Sequence, residues 1–329
     1  PLCVDLDGTL LKTDSLVEGL LLLIKEQPLT ALKIPFWLAQ GKAHLKHRVA
    51  QYTSLAATLL PYNTSIVEYA KKESVTLPVL LVTGSARSVA DSVASHFGFF
   101  SGVIASDAET NMTGLVKRDA LVNQFGKQGF DYIGNSKADW PVWSETNEAL
   151  IAAQQGPFLE QTIKRFSPSK IFYVAQPGIR TFAKAIRVHQ WLKNLLIFVP
   201  LLLEHRLADM AALTALLVCF LSLSLLASAT YLLNDLLDLE ADRNNSTKRY
   251  RALASGVISP KIAVILAAVL LLGSLLLAQM LPFSFLIVLL LYGVTTLTYS
   301  FWLKRAMIVD VCVLASLFTL RIIGGGVVI

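Results

Sequence analysis

Charged residues are unevenly distributed along this chain, and that distribution limits the folds it can adopt. After about residue 191 charge becomes sparse, and the apolar runs 210–233, 262–281 and 283–298 are long enough, or nearly so, to cross a hydrocarbon core as helices. The first half of the 329-residue chain has the composition of a soluble domain instead. The sequence therefore predicts a soluble domain followed by an all-α, multi-pass transmembrane domain.

Two further apolar stretches and the basic residues complete the membrane prediction. Residues 192–203 form a short first span that its flanks could complete, and residues 307–329 reach the last position without a polar stop, so we expect a transmembrane domain that is incomplete at its C-terminus. Basic residues precede the first span and separate the second from the third: Arg180, Lys184, Arg187, Lys193, Arg243, Lys248, Arg249, Arg251 and Lys261. Because positive loops stay in the cytoplasm, the soluble domain and these segments should face the cytoplasm from a cell (inner) membrane, with Lys304 and Arg305 also inside.

The net charge and the cysteines exclude two classes of function. The formal charge of +6 follows from membrane topology and phosphate handling, and no basic stripe interleaved with aromatic residues indicates nucleic-acid binding. Cys3, Cys219 and Cys312 lack metal-site spacing and lie in apolar contexts, so they are predicted to be buried thiols and no zinc site is implied.

A group of polar residues closes the second apolar run. Its members are Asn234, Asp235, Asp238 and Asp242, followed by Lys248, Arg249 and Arg251. At spacings of three, four and seven the three aspartates fall on one helix face, where like charges repel unless a cation joins them. Mg²⁺ carrying a diphosphate would supply that cation, and the basic residues would hold the remaining phosphate charge. A solvated loop between membrane helices is the alternative.

Polar residues also follow the predicted strands of the soluble half. They are Asp5 and Asp7 at the end of the strand 2–6, Thr83 after the strand 79–82, Lys117 after a helix and a turn, and Asn135 and Asp139 after the strand 130–133. Parallel sheets place their ligands at the carboxyl ends of strands. Two acids two residues apart on a strand point the same way, and a bound cation with a phosphoryl group would remove their repulsion.

These motifs resemble those of the haloacid dehalogenase (HAD) superfamily of phosphatases: Asp-Leu-Asp-Gly-Thr-Leu at 5–10, a strand ending in Thr83, then Lys117, then Gly-Asn-Ser-x-x-Asp at 134–139. The resemblance covers residues 1–152 and implies an α/β Rossmann-like domain, with a small helical cap at about 14–72 and a linker at 153–179 before the membrane domain. Within the cap, the apolar segments 16–24 and 29–38 are too short to span a bilayer, so they should form cap core or, less simply, a surface resting on the membrane.

The HAD resemblance also implies roles for the site residues. Asp5 would be the nucleophile, Asp7 the general acid and base, Thr83 a hydrogen-bond donor to a phosphoryl oxygen and Lys117 a neutralising charge, with Mg²⁺ on Asp5, the Asp7 carbonyl and Asp139. Asn135 stands where the family usually has Asp, which weakens the expected Mg²⁺ site. A non-catalytic regulatory module is therefore the alternative for this half.

Residues 180–329 resemble the UbiA superfamily of membrane prenyltransferases. The resemblance rests on His-Gln-Trp-Leu-Lys-Asn at 189–194, Asn-Asp-x-x-Asp-x-x-x-Asp at 234–242, Lys-Arg-Tyr-Arg-x-Leu-Ala-Ser-Gly at 248–256, and Leu303-Lys304 through Asp310 to Arg321 and Gly324–Gly326. The flanking motifs are closest to those of the decaprenyl-phosphate phosphoribosyltransferases. That branch implies transfer from phosphoribosyl diphosphate to a polyprenyl phosphate in the lipid bilayer, with Mg²⁺ on the three aspartates and substrate contacts from Lys193, Asn234 and the basic run. Aromatic prenyl transfer from a prenyl diphosphate is the runner-up, and a transporter or structural membrane protein is the least favoured reading.

Overall fold

The computed structural model describes residues 1–301 and 307–329, with only the backbone described at positions 300, 301, 307, 308 and 310. Lys304 and Arg305, which the orientation prediction uses, lie outside the described residues. Contacts divide the chain into two compact units. The first comprises Pro1–Pro177 with Leu239–Pro260, and the second comprises Gly178–Asp238 with Lys261–Ile329.

The first unit is built on a six-stranded sheet. Its strands are β1 (Leu2–Val4), β2 (Val79–Ala86), β3 (Gly102–Ser106), β4 (Asp131–Gly134), β5 (Ala149–Ala153) and β6 (Lys170–Tyr173). Every neighbouring pair is parallel, in the order β3-β2-β1-β4-β5-β6, which confirms the predicted α/β class with a parallel sheet. From β1 the chain first adds β2 and β3 on one side of the sheet and then β4, β5 and β6 on the other. The strand order therefore changes direction between β1 and β4, and the crevice at the carboxyl ends of two such strands is the usual ligand site.

Helices cover both faces of this sheet, which explains why its central strands β1 and β2 are buried along their whole length. The helices are Ser15–Glu26, Pro28–Ala31, Ile34–Ala39, Lys42–Tyr52, Thr64–Glu73, Arg87–Phe97, Leu115–Phe125, Trp140–Trp143 and Pro157–Phe166, with 3₁₀ turns at Ala57–Leu59 and Lys137–Asp139. One core cluster lies on each face of the sheet, the first including Val4 and Leu81 and the second including Val82 and Tyr132.

The predicted cap region differs from expectation in two respects. The helices up to residue 52 share a small core of Leu23, Trp37, Leu45 and Val49, but the Thr64–Glu73 helix packs its buried side chains against the sheet, so it is a crossover helix. The prediction of cap core for the segment 29–38 is wrong for most of its large side chains, since Leu29, Leu32, Phe36 and Leu38 are 81%, 76%, 67% and 50% exposed. The membrane-surface interpretation of this segment, and the cap itself, stay predictions.

The predicted linker also differs from what the fold contains. Within residues 153–179 lie the Pro157–Phe166 helix and β6, and Leu159 and Phe172 are buried in the two sheet cores. The three consecutive apolar or aromatic residues of Ile171–Tyr173 are enough to add a sixth strand beside β5. The sheet therefore extends past residue 152, the predicted end of the α/β domain.

The second unit is helical. Its helices are Ile179–Ala185, Val199–Leu203, Met210–Leu237, Pro260–Ala278, Phe283–Phe301 and Met307–Gly326, with 3₁₀ turns over Val188–Phe198. Met210–Leu237 and Pro260–Ala278 are long and apolar enough to cross a membrane. The predicted first span is a pair of helical segments, Ile179–Ala185 and Val188–Leu203, bent by 55° at Arg187, which has a left-handed φ of 55°. The second unit is thus apolar and helical, in contrast to the α/β first unit. The segment Leu239–Pro260, which the sequence assigns to the membrane domain, belongs to the first unit by its contacts.

Candidate functional site

The turn after β1 presents the first set of predicted residues. Asp5 is 6% exposed and its carboxylate accepts hydrogen bonds from Lys117 Nζ at 2.7 Å and Thr9 Oγ1 at 3.2 Å. Gly8 has a φ of +74°, and a Cβ there would lie 2.1 Å from Nδ2, the side-chain amide nitrogen of Asn135. Glycine is needed at this turn both for its left-handed backbone and for the close approach of Asn135.

Lys117 connects residues from three elements beneath this turn. Its ammonium lies 2.7 Å from Asp5, 3.8 Å from the Asp139 carboxylate and 2.7 Å from the Tyr132 hydroxyl, which itself donates to Asp139 at 2.9 Å. Tyr132 was not predicted as a site residue. Its sequence signal is a hydroxyl-bearing side chain beside Ile133 in the short strand β4, whose position 132 pairs with Cys3 of β1. The structure therefore brings Asp5, Lys117 and Asp139 together as predicted and adds Tyr132.

Asp7 belongs to a separate hydrogen-bond group on the other side of the turn. It accepts from the Ser85 hydroxyl at 2.5 Å and from the Ser15 backbone N–H at 2.7 Å. Thr83 is fully buried within β2, which continues to Ala86 beyond its predicted end at residue 82. It donates to Ser85 at 3.0 Å, so it reaches Asp7 only through that serine. Ser15 and Ser85 were missed from the sequence because an isolated serine carries no pattern of its own.

Asp139 is held in place by the turn that follows β4. One of its carboxylate oxygens accepts from the backbone N–H groups of Asn135 and Ser136, at 3.1 and 3.0 Å, and from the Ser136 hydroxyl at 3.1 Å. Its other oxygen faces Tyr132 and Lys117. Asn135 contributes to these hydrogen bonds of Asp139 only through its backbone N–H. The presence of Asn instead of Asp at position 135 therefore does not alter how Asp139 is held.

Burial and neighbouring charge shift the titration of these groups. Burial raises the pKa of Asp5 to about 6, helped by Asp139 and opposed by Lys117. Burial also raises the pKa of Asp7, and Asp14 adds to the shift while Ser85 and Ser15 oppose it. For Lys117, burial alone would lower the pKa, but Asp5 and Asp139 outweigh it and raise the value. The site therefore holds the Lys117 ammonium charge firmly beside Asp5, a carboxyl group that ionises less readily than usual.

The donor set of this turn suits a magnesium ion in part. Among the described residues no three His, Cys, Asp or Glu side chains are grouped so as to hold a metal ion. Mg²⁺, however, commonly takes one or two carboxylates, with waters and substrate oxygens completing its shell. Asp5 and Asp139, both in contact with Lys117, would provide those carboxylates, and the Asp7 backbone carbonyl would be a third ligand from the protein.

The predicted aspartate motif is divided between the two units. Asp235, 7% exposed, is in the second unit and forms an ion pair with Arg187 at 2.6 Å, while the Arg187 guanidinium lies 4.6 Å from the Tyr231 ring centroid. Asp238 ends the Met210–Leu237 helix, its N–H donating to the Asn234 carbonyl. Lys193 is exposed. Arg187 entered the prediction only as an orientation charge, and its pairing with Asp235 was not foreseen.

Asp242 belongs to the first unit and is paired with two of the three predicted phosphate-binding residues. It is 4% exposed, and its carboxylate lies 2.8 Å from Arg251 and 3.9 Å from Lys248. The third, Arg249, is exposed and donates to the Tyr250 hydroxyl at 2.8 Å. Lys248 and Arg251 thus share a carboxylate partner, whereas Arg249 points to a neighbour in sequence.

A buried polar network in the second unit was also missed. Arg321 is 5% exposed and donates to the side-chain oxygen of Asn194, the Tyr292 hydroxyl and the Leu317 carbonyl, all within 2.7–2.8 Å. Asn194 in turn donates to Ser224 at 2.9 Å. An arginine within an apolar helix is the signal that could have found this network, because such a charge is retained only where polar partners surround it.

Comparison with known proteins identifies part of the chain. Residues 194–329 match the UbiA prenyltransferase family. Decaprenyl-phosphate phosphoribosyltransferase of Mycolicibacterium smegmatis is 40% identical over 44% of this chain and 46% of its own length. The "uncharacterized protein y4nM" of Sinorhizobium fredii is 37% identical over 99% of this chain and 64% of its own length. The chain thus spans less than two-thirds of y4nM and about half of the phosphoribosyltransferase.

One solved structure is similar to part of the chain. It is a crystal structure of a protein of unknown function from Bordetella pertussis Tohama I, 16% identical, covering 52% of this chain and 97% of that one with a TM-score of 0.39. That score is too low to assign a fold. The α/β class of the first unit therefore rests on its own parallel sheet, and the HAD relationship stays a prediction.

Proposed function

We propose that this chain is a Mg²⁺-dependent membrane transferase that moves phosphoribose from phosphoribosyl diphosphate to a polyprenyl phosphate. The observation that carries the proposal is the pairing of motif aspartates with arginines, Asp235 with Arg187 and Asp242 with Arg251. A bound magnesium diphosphate could take the place of either partner in such a pair, because the carboxylate would bind the metal and the guanidinium would bind phosphate oxygens. The match to the UbiA family and the name of the mycobacterial relatives support the substrate class.

The proposed reaction breaks the bond between the anomeric carbon and the diphosphate and forms a bond from that carbon to a phosphate oxygen of the lipid. Bound Mg²⁺ supplies a positive charge that stabilises the leaving diphosphate. Asp235, Asp238 and Asp242 would hold that ion, while Arg251 and Lys248 would bind phosphate oxygens and orient the donor. Lys193 and Asn234 are proposed substrate contacts. Arg249, which is exposed and contacts Tyr250, would reach a further phosphate oxygen by rotation of its side chain.

We also propose that the chain crosses the cell (inner) membrane several times, with the α/β unit and the motif in the cytoplasm. The support is the positive charge of the segments before the first span and between the second and third. Reagents that modify lysine from one side of sealed vesicles test this orientation, because Lys248 is half exposed. Modification of Lys248 from the cytoplasmic side alone is expected.

For the first unit we propose a phosphatase that acts on the lipid-linked product. Asp5 would attack phosphorus, and Asp7 would protonate the leaving oxygen and then activate water. Lys117 would neutralise charge on the phosphoryl group, and Thr83 would orient an oxygen of it. A phosphatase on the same chain meets the membrane-bound phosphoribosyl product at high effective concentration, so removal of its 5-phosphate is the proposed second step.

Radiolabelled phosphoribosyl diphosphate, a polyprenyl phosphate and Mg²⁺, supplied to full-length protein in membranes, test the transferase. Label should enter the lipid phase with the parent chain and with Glu240→Gln, a neighbouring acid outside the motif, but not with Asp238→Asn. If no variant labels the lipid but an aromatic acceptor consumes a prenyl diphosphate, the runner-up reaction replaces the proposal.

Phosphate release from purified lipid product tests the phosphatase. Asp5→Asn should abolish release, whereas Asp91→Asn, which changes an exposed acid of the same unit paired with Arg87, should not. Equal release by parent and Asp5→Asn would favour the regulatory-module alternative. Hydrolysis restricted to soluble sugar phosphates would exclude the lipid substrate.

A further inference from the structure

Glu18 occupies an unusual position for an acidic residue. It lies in the first turn of the Ser15–Glu26 helix, is 4% exposed and accepts a hydrogen bond from the Thr13 hydroxyl at 2.5 Å. Its two carboxylate oxygens also accept from the two terminal nitrogens of Arg243, each at 2.7 Å. A bidentate pair with this geometry fixes the relative position and orientation of both side chains.

Arg243 belongs to the segment 239–260, which contacts place in the first unit with Glu18. The third nitrogen of its guanidinium, Nε, donates to the Ala254 carbonyl at 3.0 Å. The Arg243 side chain therefore also links two parts of this segment to each other. Apolar packing accompanies the pair, since Leu253, Ala254 and Ile258 are at most 3% exposed.

The turn at Gly256 seats the same segment closely against the α/β unit. Gly256 has a φ of +73°, and a Cβ there would lie 3.0 Å from the Lys12 side chain and 3.1 Å from that of Pro61. Lys12 and Pro61 are joined by a backbone hydrogen bond of 3.0 Å. The segment is therefore held at two places, by the ion pair near its start and by a close glycine contact near its end.

A buried ion pair of this kind contributes to specificity of arrangement more than to stability. Removing one partner leaves an uncompensated buried charge, whereas both charges together define one register. Asp242 directly precedes Arg243 and is paired with Arg251 of the same segment. The position that Glu18 imposes on Arg243 thus also fixes the positions of Asp242 and Arg251.

We propose that Glu18 is a positioning residue for the transferase, through which the α/β unit holds the segment that carries Asp242 and Arg251. This inference rests on the proposed transferase function for its activity readout alone. The α/β unit then has a second task besides any phosphatase reaction, as the support of a substrate-binding segment. The helix that carries Glu18 also binds Asp7 through the Ser15 N–H, so the same helix N-terminus serves both proposed sites.

Limited trypsin digestion of the full-length chain in membranes tests the support role without any substrate. Lys248, Arg249 and Arg251 provide cleavage sites within the segment, and Lys127, an exposed lysine of the α/β unit, provides a reference site. Glu18→Gln should accelerate cleavage at 248–251 at least tenfold and leave cleavage at Lys127 unchanged. Glu26→Gln, an exposed acid at the end of the same helix, should behave as the parent chain.

A double-substitution cycle separates positioning from general damage. Glu18→Gln and Arg243→Gln should each accelerate cleavage, and the double variant should be no worse than either single variant, because the second change removes the charge that the first left unpaired. Arg243→Lys, which keeps the charge but not the bidentate geometry, should give an intermediate rate. Additive effects, or parent-like cleavage of Glu18→Gln, would overturn the proposal.

The transferase assay then connects position to activity. Glu18→Gln should raise the KM for phosphoribosyl diphosphate at least tenfold while changing kcat less, because donor contacts are displaced and the acceptor is not. A parent chain that transfers no phosphoribose would refute the proposed function yet leave the digestion result valid. Normal transfer kinetics in Glu18→Gln with a loosened segment would refute the positioning role alone.

Discussion

The two candidate sites treat their carboxylates in different ways. In the α/β unit, Asp5 and Asp139 share Lys117, which is 3% exposed. In the aspartate motif, the partners of Asp242 are more accessible, since the Lys248 and Arg251 side chains are 50% and 36% exposed. A buried lysine between acids is a fixed part of a preformed site, whereas an accessible arginine can exchange its carboxylate for a phosphate group at small cost. The first arrangement is thus buried and preformed, whereas the second has basic partners that can change position when a ligand binds.

Removing the shared lysine should give the largest effect. Lys117→Met leaves Asp5 and Asp139 adjacent without a counter-charge, and phosphatase kcat should fall by about 10³-fold or more because an electrostatic stabiliser of the phosphoryl group is lost. Transfer of phosphoribose to lipid should stay within threefold of the parent rate, because Lys117 contacts residues of the α/β site and, among the described residues, none of the aspartate motif. Lys127→Met, an exposed lysine in the same unit, is the matched control for both assays.

The corresponding change in the second site should be smaller and should act on binding. Arg251→Gln should lower transferase kcat/KM by about 10²-fold, mostly through KM, because a charge-assisted phosphate contact is worth about 1.5–3 kcal/mol. Arg249→Gln, which changes an exposed arginine of the same run that contacts the Tyr250 hydroxyl, should cost several-fold less. Equal losses for the two variants would mean that pairing with Asp242 does not mark the phosphate contact.

The titration of Asp5 should separate the sites by pH. With its pKa near 6, the neutral carboxyl prevails at lower pH, and phosphatase kcat/KM should fall about tenfold per pH unit below that value at low Mg²⁺ concentration. Added Mg²⁺ should move this acid limb to lower pH, because a cation favours the charged carboxylate. A limb that stays near pH 4 at every Mg²⁺ concentration would show that burial does not control the nucleophile.

The stability of the α/β unit should change in the opposite direction over the same pH range. Folding raises the pKa of Asp5 from its ordinary value of 3.8, so the folded state binds the extra proton. The contribution of this group to the free energy of unfolding is therefore complete below about pH 3.8 and is lost as the pH rises through about 6. Denaturant unfolding of the inactive Asp5→Asn variant should lack this component, which provides the control.

The smallest effect is expected from Tyr132→Phe. Loss of its hydroxyl removes one contact to Lys117 and one to Asp139, which should cost about 1–3 kcal/mol of stability and reduce phosphatase kcat several-fold. Tyr62→Phe, which removes a hydroxyl bound to the Ala57 carbonyl in the same unit, should cost stability without reducing kcat. A kcat unchanged in Tyr132→Phe would assign Tyr132 to the core and not to the site.

Sequence patterns predicted the parts of this molecule that depend on local order. The strand and turn at Asp5, the lysine in the Leu115–Phe125 helix and the motif ending at Asp139 converge because the carboxyl ends of β1, β2 and β4 are neighbours in a parallel sheet. Apolar runs likewise predicted the long helices, because length and hydropathy suffice for that.

Contacts between distant segments could not be predicted in the same way. Glu18 and Arg243 are 225 positions apart, and nothing in the surroundings of either distinguishes it from a solvated charge on a helix. Tyr132 and Ser85 have the same difficulty, since their roles depend on which side chains cross from neighbouring elements. The edge strand β6 was missed because four residues bordered by Ser, Pro and Gln resemble a linker as well as a strand.

The discontinuous make-up of the first unit also sets a schedule for synthesis. Glu18 leaves the ribosome long before Arg243, and at about 5–20 residues per second the 225-residue separation corresponds to about 10–45 s. The last strand, β6, is complete at Tyr173, so the α/β sheet has all its strands before Arg243 is synthesised and can pair with Glu18. Insertion of the intervening helices into the bilayer falls within the same interval. The Glu18–Arg243 pair, which completes the first unit, can therefore form only after the apolar helices between these two residues have been synthesised.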